Sequence, residues 1–104
     1  MDDRVYMKKS LFVDRISKAF AMLDNCKAIE YRNFPDKYTE ILRIRYECGG
    51  DRFIDVTADS IEAIGHEIGR ILLGEDTIAE ITNEKHKAMI KGWFEEGKHE
   101  AHIE

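Results

Sequence analysis

Between Tyr38 and Gly74 the spacing of apolar positions changes from two residues to a glycine turn, back to two, and then to the helical 3.6. Over residues 38–47, Leu42, Ile44 and Tyr46 alternate with Thr39, Arg43, Arg45 and Glu47, which predicts a strand with one apolar face. After Gly49 and Gly50, Ile54 and Val56 give the apolar face of a second strand over residues 52–57. Ile61, Ile64, Ile68, Ile71 and Leu72 then form one helical stripe over residues 60–73. Asp59 and Glu62 supply the carboxylate form of a capping box in front of it, and Gly74 is a typical C′ residue behind it. Gly65 and Gly69 lie four apart inside this helix, each costing about 1 kcal/mol relative to alanine, so a closely packed neighbour is expected beside them.

Face parity restricts how the two strands pair. A two-residue Gly49-Gly50 turn would set Tyr46 against Phe53 and Arg45 against Ile54, mixing the core and solvent faces. An odd loop of three or five residues is therefore expected, with Tyr46 opposite Ile54, Ile44 opposite Val56 and Arg45 opposite Asp55.

Upstream, Leu11, Phe12, Ile16, Ala19, Phe20 and Leu23 predict an amphipathic helix over residues 10–24, with Ser10 as N-cap and Asn25 as stop. An earlier start stays open, because Asp2 or Asp3 can also cap and Val5 continues the stripe. Residues 27–33 alternate Ile29 and Tyr31 with Glu30 and Arg32 and read as a strand, and Phe34, Pro35, Asp36 and Lys37 follow with turn chemistry. Downstream, residues 75–82 fit a helical turn or a short strand equally well. Ala88, Met89, Ile90, Trp93 and Phe94 mark a last helix over residues 83–98, with fraying expected from His99 to Glu104. The whole, residues 1–104, reads as a single two-layer α+β domain: a helix, a three-stranded antiparallel meander and two helices, with the helices covering the Leu42, Ile44, Tyr46, Ile54 and Val56 face.

Composition supports a folded domain that needs no staples, since 104 residues with 43% hydrophobic and 36% charged side chains can bury a core of ordinary size. The net charge of −5 is uneven: the first fifty residues carry ten basic and eight acidic side chains, the rest six and thirteen. An acidic second half repels phosphate backbones, so nucleic-acid binding would need a locally basic face. Cys26 and Cys48 have neither CxxC spacing nor other cysteines to join and read as small buried thiols. No apolar run approaches membrane-spanning length and the amino terminus has no apolar core of a signal peptide, so a cytoplasmic, reduced protein is expected.

Several stretches come close to known chemistry and stop short. Gly92 to Lys98 has the glycine and lysine spacing of a phosphate-binding loop but is followed by His99 instead of Ser or Thr, carries Glu95 and Glu96, and lies in a helical pattern. His66-Glu67 opens like a zinc-protease helix, but the second histidine position is Arg70. His99 and His102 have ligand spacing without four fixed donors. Ser10, Ser17 and Ser60 lie in no nucleophile elbow, and the Asp55 and Asp59 pair is spoken for by Arg45 and by capping. No catalytic, cofactor or metal residue is assigned.

Two surfaces remain. Met89, Ile90, Trp93 and Phe94 form a dense apolar cluster that would suit self-association as a homodimer, with folding back onto the protein's own core as the competing use. Arg32, Arg43 and Arg45 with Phe53 form the best nucleic-acid surface, on the outer sheet face, although Glu30, Glu47 and Asp55 share it. The segments Ile44 to Glu47, Phe53 to Ser60 and Ala63 to Arg70 resemble small uncharacterised proteins carried on prophages and conjugative elements of Gram-positive bacteria, over about a third of the chain. That resemblance implies an accessory protein of a mobile element and brings no activity or site residue with it. The expectation is thus a non-enzymatic binding or assembly module acting through a protein partner or a second copy. The alternatives are a nucleic-acid-associated accessory protein, and a hydrolase or transferase whose site has no recognisable motif.

Overall fold

The computed structural model describes residues 3–21 and 26–103, with the side chains of residues 3, 20, 26, 27 and 97–103 outside that description. The elements follow in the order α1 (Asp3–Phe20), β1 (Cys26–Phe34), a 3-10 turn (Pro35–Lys37), β2 (Thr39–Tyr46), β3 (Asp51–Asp55), α2 (Ile61–Leu72) and α3 (Glu84–Ile103). The three strands form an antiparallel meander with β2 in the centre. The α+β class and the element order are those the residue pattern predicts.

The helices divide between the two faces of the sheet instead of sharing one. On one face Ile29, Tyr31, Leu42, Ile44, Ile54 and Val56 meet Val13 of α1 and Ile64, Ile68 and Ile71 of α2. On the other, Phe34, Ile41 and Phe53 meet Ile81 and the α3 residues Ile90 and Phe94, with Trp93 packed at the margin. Phe94 sets its ring edge-on to Phe34 at 5.2 Å and tilted against Phe53 at 5.9 Å, distances at which aromatic pairs gain beyond their buried area. Both faces of β2 are therefore core.

The loop between β2 and β3 is odd, as parity requires, but the register differs from the expected one by four residues. Leu42 lies opposite Ile54, Arg43 opposite Phe53 and Arg45 opposite Asp51. A three-residue turn suffices: Tyr46 N–H donates to the Gly50 carbonyl at 2.9 Å, Gly49 N–H donates to the Tyr46 carbonyl at 3.0 Å, and Gly49 takes a left-handed φ of 96°. Pairing Tyr46 with Ile54 would need a loop longer than three or five residues. Arg45 consequently faces Asp51, not Asp55.

Helix α2 is capped by Ser60, whose hydroxyl accepts from the Ala63 amide at 3.1 Å, one residue later than the Asp59 cap expected. It ends in a Schellman arrangement: Gly74, with φ 78°, donates to the Ile71 carbonyl, and Glu75 donates to that of Arg70. Helix α1 begins at Asp3, not at Ser10, and its buried line runs through Lys9 and Val13, with Phe12 and Ile16 half-buried, while Leu11 and Val5 are exposed. Leu23 and the Asn25 stop lie outside the described residues. Helix α3 continues to Ile103, past the expected end at residue 98. Asn83 caps it through the His86 amide at 3.0 Å.

The segment between α2 and α3 carries the chain around the β3 edge to the opposite face. Ile54 lies opposite Glu80 in a single antiparallel bridge, Asp55 N–H donates to the Ala79 carbonyl at 3.0 Å, and Ile81 N–H donates to the Phe53 carbonyl at 2.8 Å. Among the described residues no helix is long and apolar enough to cross a membrane.

The two glycines of α2 separate. A methyl group at Gly65 would come within 3.3 Å of the Phe12 ring, so α1 does approach closely there, whereas one at Gly69 would meet nothing within 4 Å. Gly69→Ala is expected to stabilise the protein by up to about 1 kcal/mol through helix propensity, and Gly65→Leu to destabilise it by roughly 1–3 kcal/mol by displacing Phe12. Urea unfolding of the two variants checks both; equal effects at the two positions would contradict the packing described. Phe94→Ala should cost about 3–5 kcal/mol in the same measurement, because it empties a site with no exposed surface.

Candidate protein-interaction site

The central strand places one buried charge on each sheet face. Glu40, 5% exposed, turns towards α1, where Lys9 donates to Oε1 at 2.7 Å and the Tyr31 hydroxyl donates to the same oxygen at 2.6 Å. Its other oxygen accepts the Ala58 amide at 2.8 Å. Ala58 has a φ of 64°, a left-handed conformation that costs a non-glycine residue about 1–2 kcal/mol, and it is in this conformation that its N–H reaches the carboxylate. Burial opposes ionisation of Glu40, but the hydrogen bonds from Lys9, Tyr31 and Ala58 outweigh it and hold its pKa below the usual carboxylate value. Burial, reinforced by the hydrogen bond and charge of Glu40, pushes the Tyr31 phenol far up and keeps it a donor.

Arg43, 4% exposed, lies under α3 on the other face. Its Nε and Nη2 donate to one oxygen of Asp51 at 3.1 and 2.7 Å, and its guanidinium lies over the rings of Phe53 at 5.8 Å and Phe94 at 5.4 Å. Arg32 donates to the Phe94 carbonyl at 3.2 Å and lies 5.1 Å from the centre of that ring. The surface expected to face nucleic acid is thus the bed of α3: Arg43 and Phe53 are enclosed, Arg32 is engaged with α3 and Glu30, and Arg45 is half-buried beside Asp51. The apolar cluster expected to pair two copies is used within the chain. Ile90 and Phe94 are fully buried, Trp93 packs against Phe34 at 5.4 Å, and Met89 alone of the four is exposed.

A further charged pair joins β3 to the crossing segment. The Arg52 Nε donates to Glu80 at 3.0 Å, and a second contact between the same side chains completes a fork that lowers the Glu80 pKa and raises that of Arg52. Partial burial raises the Asp59 pKa, and the carboxylates of Glu67, Asp55 and Glu40 raise it further. His66 is exposed on an open groove of about 670 Å³ between α1 and α2, next to Gly65, Gly69 and Arg70, and its neighbour Glu67 accepts from the Thr77 hydroxyl. The near-match to a phosphate loop from Gly92 is continuous helix, so its amides are bonded within α3 and no loop exists to wrap an anion. Cys48 is exposed in the β2–β3 turn, not buried, while the side chains of Cys26, His99 and His102 lie outside the described residues. Among the described residues no three His, Cys, Asp or Glu side chains converge on a point that could hold a metal.

What the fold leaves available is a strand edge. The sheet has two, at β1 and β3, and residues 79–81 close the second. On β1, pairing with β2 takes the backbone groups of residues 28, 30, 32 and 34, so those of Ile29, Tyr31 and Asn33 point outward. Ser17 of α1 takes the Ile29 amide at 2.9 Å, which among the described residues leaves the Tyr31–Asn33 stretch as the open ladder. An open groove lies on each side of it. One, of about 530 Å³, runs between residues 30–33 and Tyr6, Met7, Ser10 and Asp14 of α1; the other, of about 310 Å³, runs between residues 32–37 and Trp93 and Glu96 of α3. Strand alternation makes this edge invisible to a search for side-chain chemistry. Strand β1 has nine residues where the alternation predicts seven, with Glu30 and Arg32 on one face and β2 as its neighbour in the sheet. No family model, curated protein or solved structure matches the chain.

The Glu40 cluster makes a pH prediction. Because the folded-state pKa of Glu40 is depressed, its contribution is complete above the unfolded glutamate value of about 4.3 and is lost as the pH falls through the folded value. Wild-type stability should drop across that acid window, and Glu40→Gln should be less stable at neutral pH and show a flatter acid limb. Parallel acid limbs in chemical unfolding would contradict the assigned role.

Proposed function

We propose that this protein is a non-enzymatic assembly module of the cytoplasm that acts through protein contacts, as an accessory protein of a mobile element. The observation that carries the reading is the inequality of the two sheet edges: residues 79–81 cover β3, while among the described residues β1 keeps an uncovered ladder between two grooves. Exposed strand edges promote association, and folded proteins usually blunt or cover them. An edge left open between concavities suits strand addition, in which main-chain bonds give affinity and alternate side chains enter the flanking depressions. The buried ionisable groups support the same reading, since Glu40 with Lys9 and Arg43 with Asp51 are engaged in holding helices to the sheet. The nucleic-acid alternative loses its support, because Arg43 and Phe53 would have to shed α3 before they could reach a base.

Asn33→Pro isolates the edge from the fold. The Asn33 amide points away from β2, so proline removes an outward donor and obstructs an incoming strand without breaking the ladder. Affinity isolation of the tagged chain from its own cells should retain a stoichiometric polypeptide, foreign or a second copy, and the proline variant should lose it. Retention unaffected by the proline, or nuclease-sensitive retention of nucleic acid in place of protein, would contradict the proposal.

A further inference from the structure

We infer that the open β1 edge takes a second copy of this chain, pairing β1 with β1′ antiparallel about a two-fold axis through Tyr31, so that two three-stranded sheets become one of six strands. This deepens the assembly reading and rests on it. The outward backbone groups belong to odd-numbered residues, so self-pairing must bond odd positions to odd positions. Few registers qualify. Placing Glu30 on the axis sets Glu30 against Glu30. Placing Arg32 on the axis sets Arg32 against Arg32. Placing Asn33 there brings Tyr31 against Pro35 and shortens the ladder.

With Tyr31 on the axis, Tyr31 bonds reciprocally to Tyr31′, the Asn33 amide meets the Ile29 carbonyl of the other copy while the Ile29 amide stays with Ser17, and Glu30 faces Arg32′ twice. These charged pairs fall at non-hydrogen-bonded positions, where opposed side chains come closest. Their side chains are 29% and 28% exposed and already lie 3.3 Å apart within one chain, on the sheet face that carries α3. A two-fold axis perpendicular to the sheet keeps that face on the same side in both copies, so the two pairs merge into an alternating square of charge. Two like-charge registers are disfavoured by the same two side chains, which makes Glu30 and Arg32 the register-setting pair. Met7, 61% exposed on α1 beside the edge, provides apolar surface for the joining strand's side chains to cover.

The test is the mass of the purified full chain by light scattering behind size exclusion and by sedimentation, from micromolar to hundreds of micromolar. Wild type is expected to be dimeric at the upper end, and Asn33→Pro monomeric with unchanged circular dichroism. Glu30→Arg and Arg32→Glu should each weaken self-association by at least about tenfold, since each sets like charges opposite one another. Mixing the two single variants should restore dimers as heterodimers, and the double swap Glu30→Arg/Arg32→Glu should restore homodimers. Should Arg32→Glu fail to fold because it loses the Phe94 carbonyl, Asn33→Pro and Glu30→Arg still decide the matter. A wild type that stays monomeric throughout overturns the self-pairing, as does a dimer indifferent to Asn33→Pro or one in which the double swap is as weak as the single reversals. A monomeric wild type whose affinity isolation nevertheless yields a foreign protein in an Asn33-dependent way defeats the self-pairing alone. An isolation that yields no edge-dependent protein defeats the broader reading.

Discussion

One buried carboxylate ties four parts of the chain together. Glu40 draws Lys9 from α1, the Tyr31 hydroxyl from β1 and the Ala58 amide from the loop into α2, while its own backbone amide donates to the Thr57 hydroxyl at 3.0 Å. Taking a carboxylate out of water is costly, and it persists only where its oxygens are saturated. Here the partners come from separate elements, so satisfying the charge fixes the height of α1 on the sheet and the path of the β3–α2 loop at the same time. The left-handed Ala58 is the local strain that results, offset by the bond its amide makes.

Arg43 performs the corresponding task on the opposite face. Three residues along the same strand, it is held by Asp51 of β3 and roofed by Phe94 of α3, so a guanidinium lies inside an aromatic core without losing its charge partner. With α1 and α2 on one face and α3 on the other, residues 40–44 of β2 are buried on both faces and the β3 edge is closed by the crossing segment. Among the described residues, the backbone that these contacts leave open is at β1. The buried charged side chains are spent on cohesion: Glu40 holds α1 and the loop into α2, and Arg43 lies against α3.

Alternation in β2 and β3, the capped helix behind them and the odd parity of their loop were legible because each depends on nearest neighbours in sequence. The second core was not read from the alternation, since Arg43 and Arg45 made that face look solvated. Its signal lay in adjacent apolar pairs, Ile41-Leu42 and Phe53-Ile54, which a strand exposed on one side has no reason to carry. The absolute register required counting the turn as well as its parity, and Gly49 alone, with its positive φ, made three residues enough. In α1 the counted stripe included Leu11, yet the side that faces the sheet is chosen by Lys9 reaching for Glu40, a long-range pair that no periodicity reports. Gly69 likewise looked like a packing site and is open, while its twin Gly65 does touch Phe12.

The coupling between Lys9 and Glu40 is the most direct measure of whether this buried pair organises the fold. A double-mutant cycle of Lys9→Met and Glu40→Gln, read by urea unfolding at neutral pH, isolates it from the separate cost of each substitution. Strong non-additivity is expected, a coupling of about 1–3 kcal/mol, with the double variant less damaged than the sum of the single ones. Effects that add to within about 0.3 kcal/mol would show that α1 is held by its apolar contacts alone and would contradict an organising role for the pair.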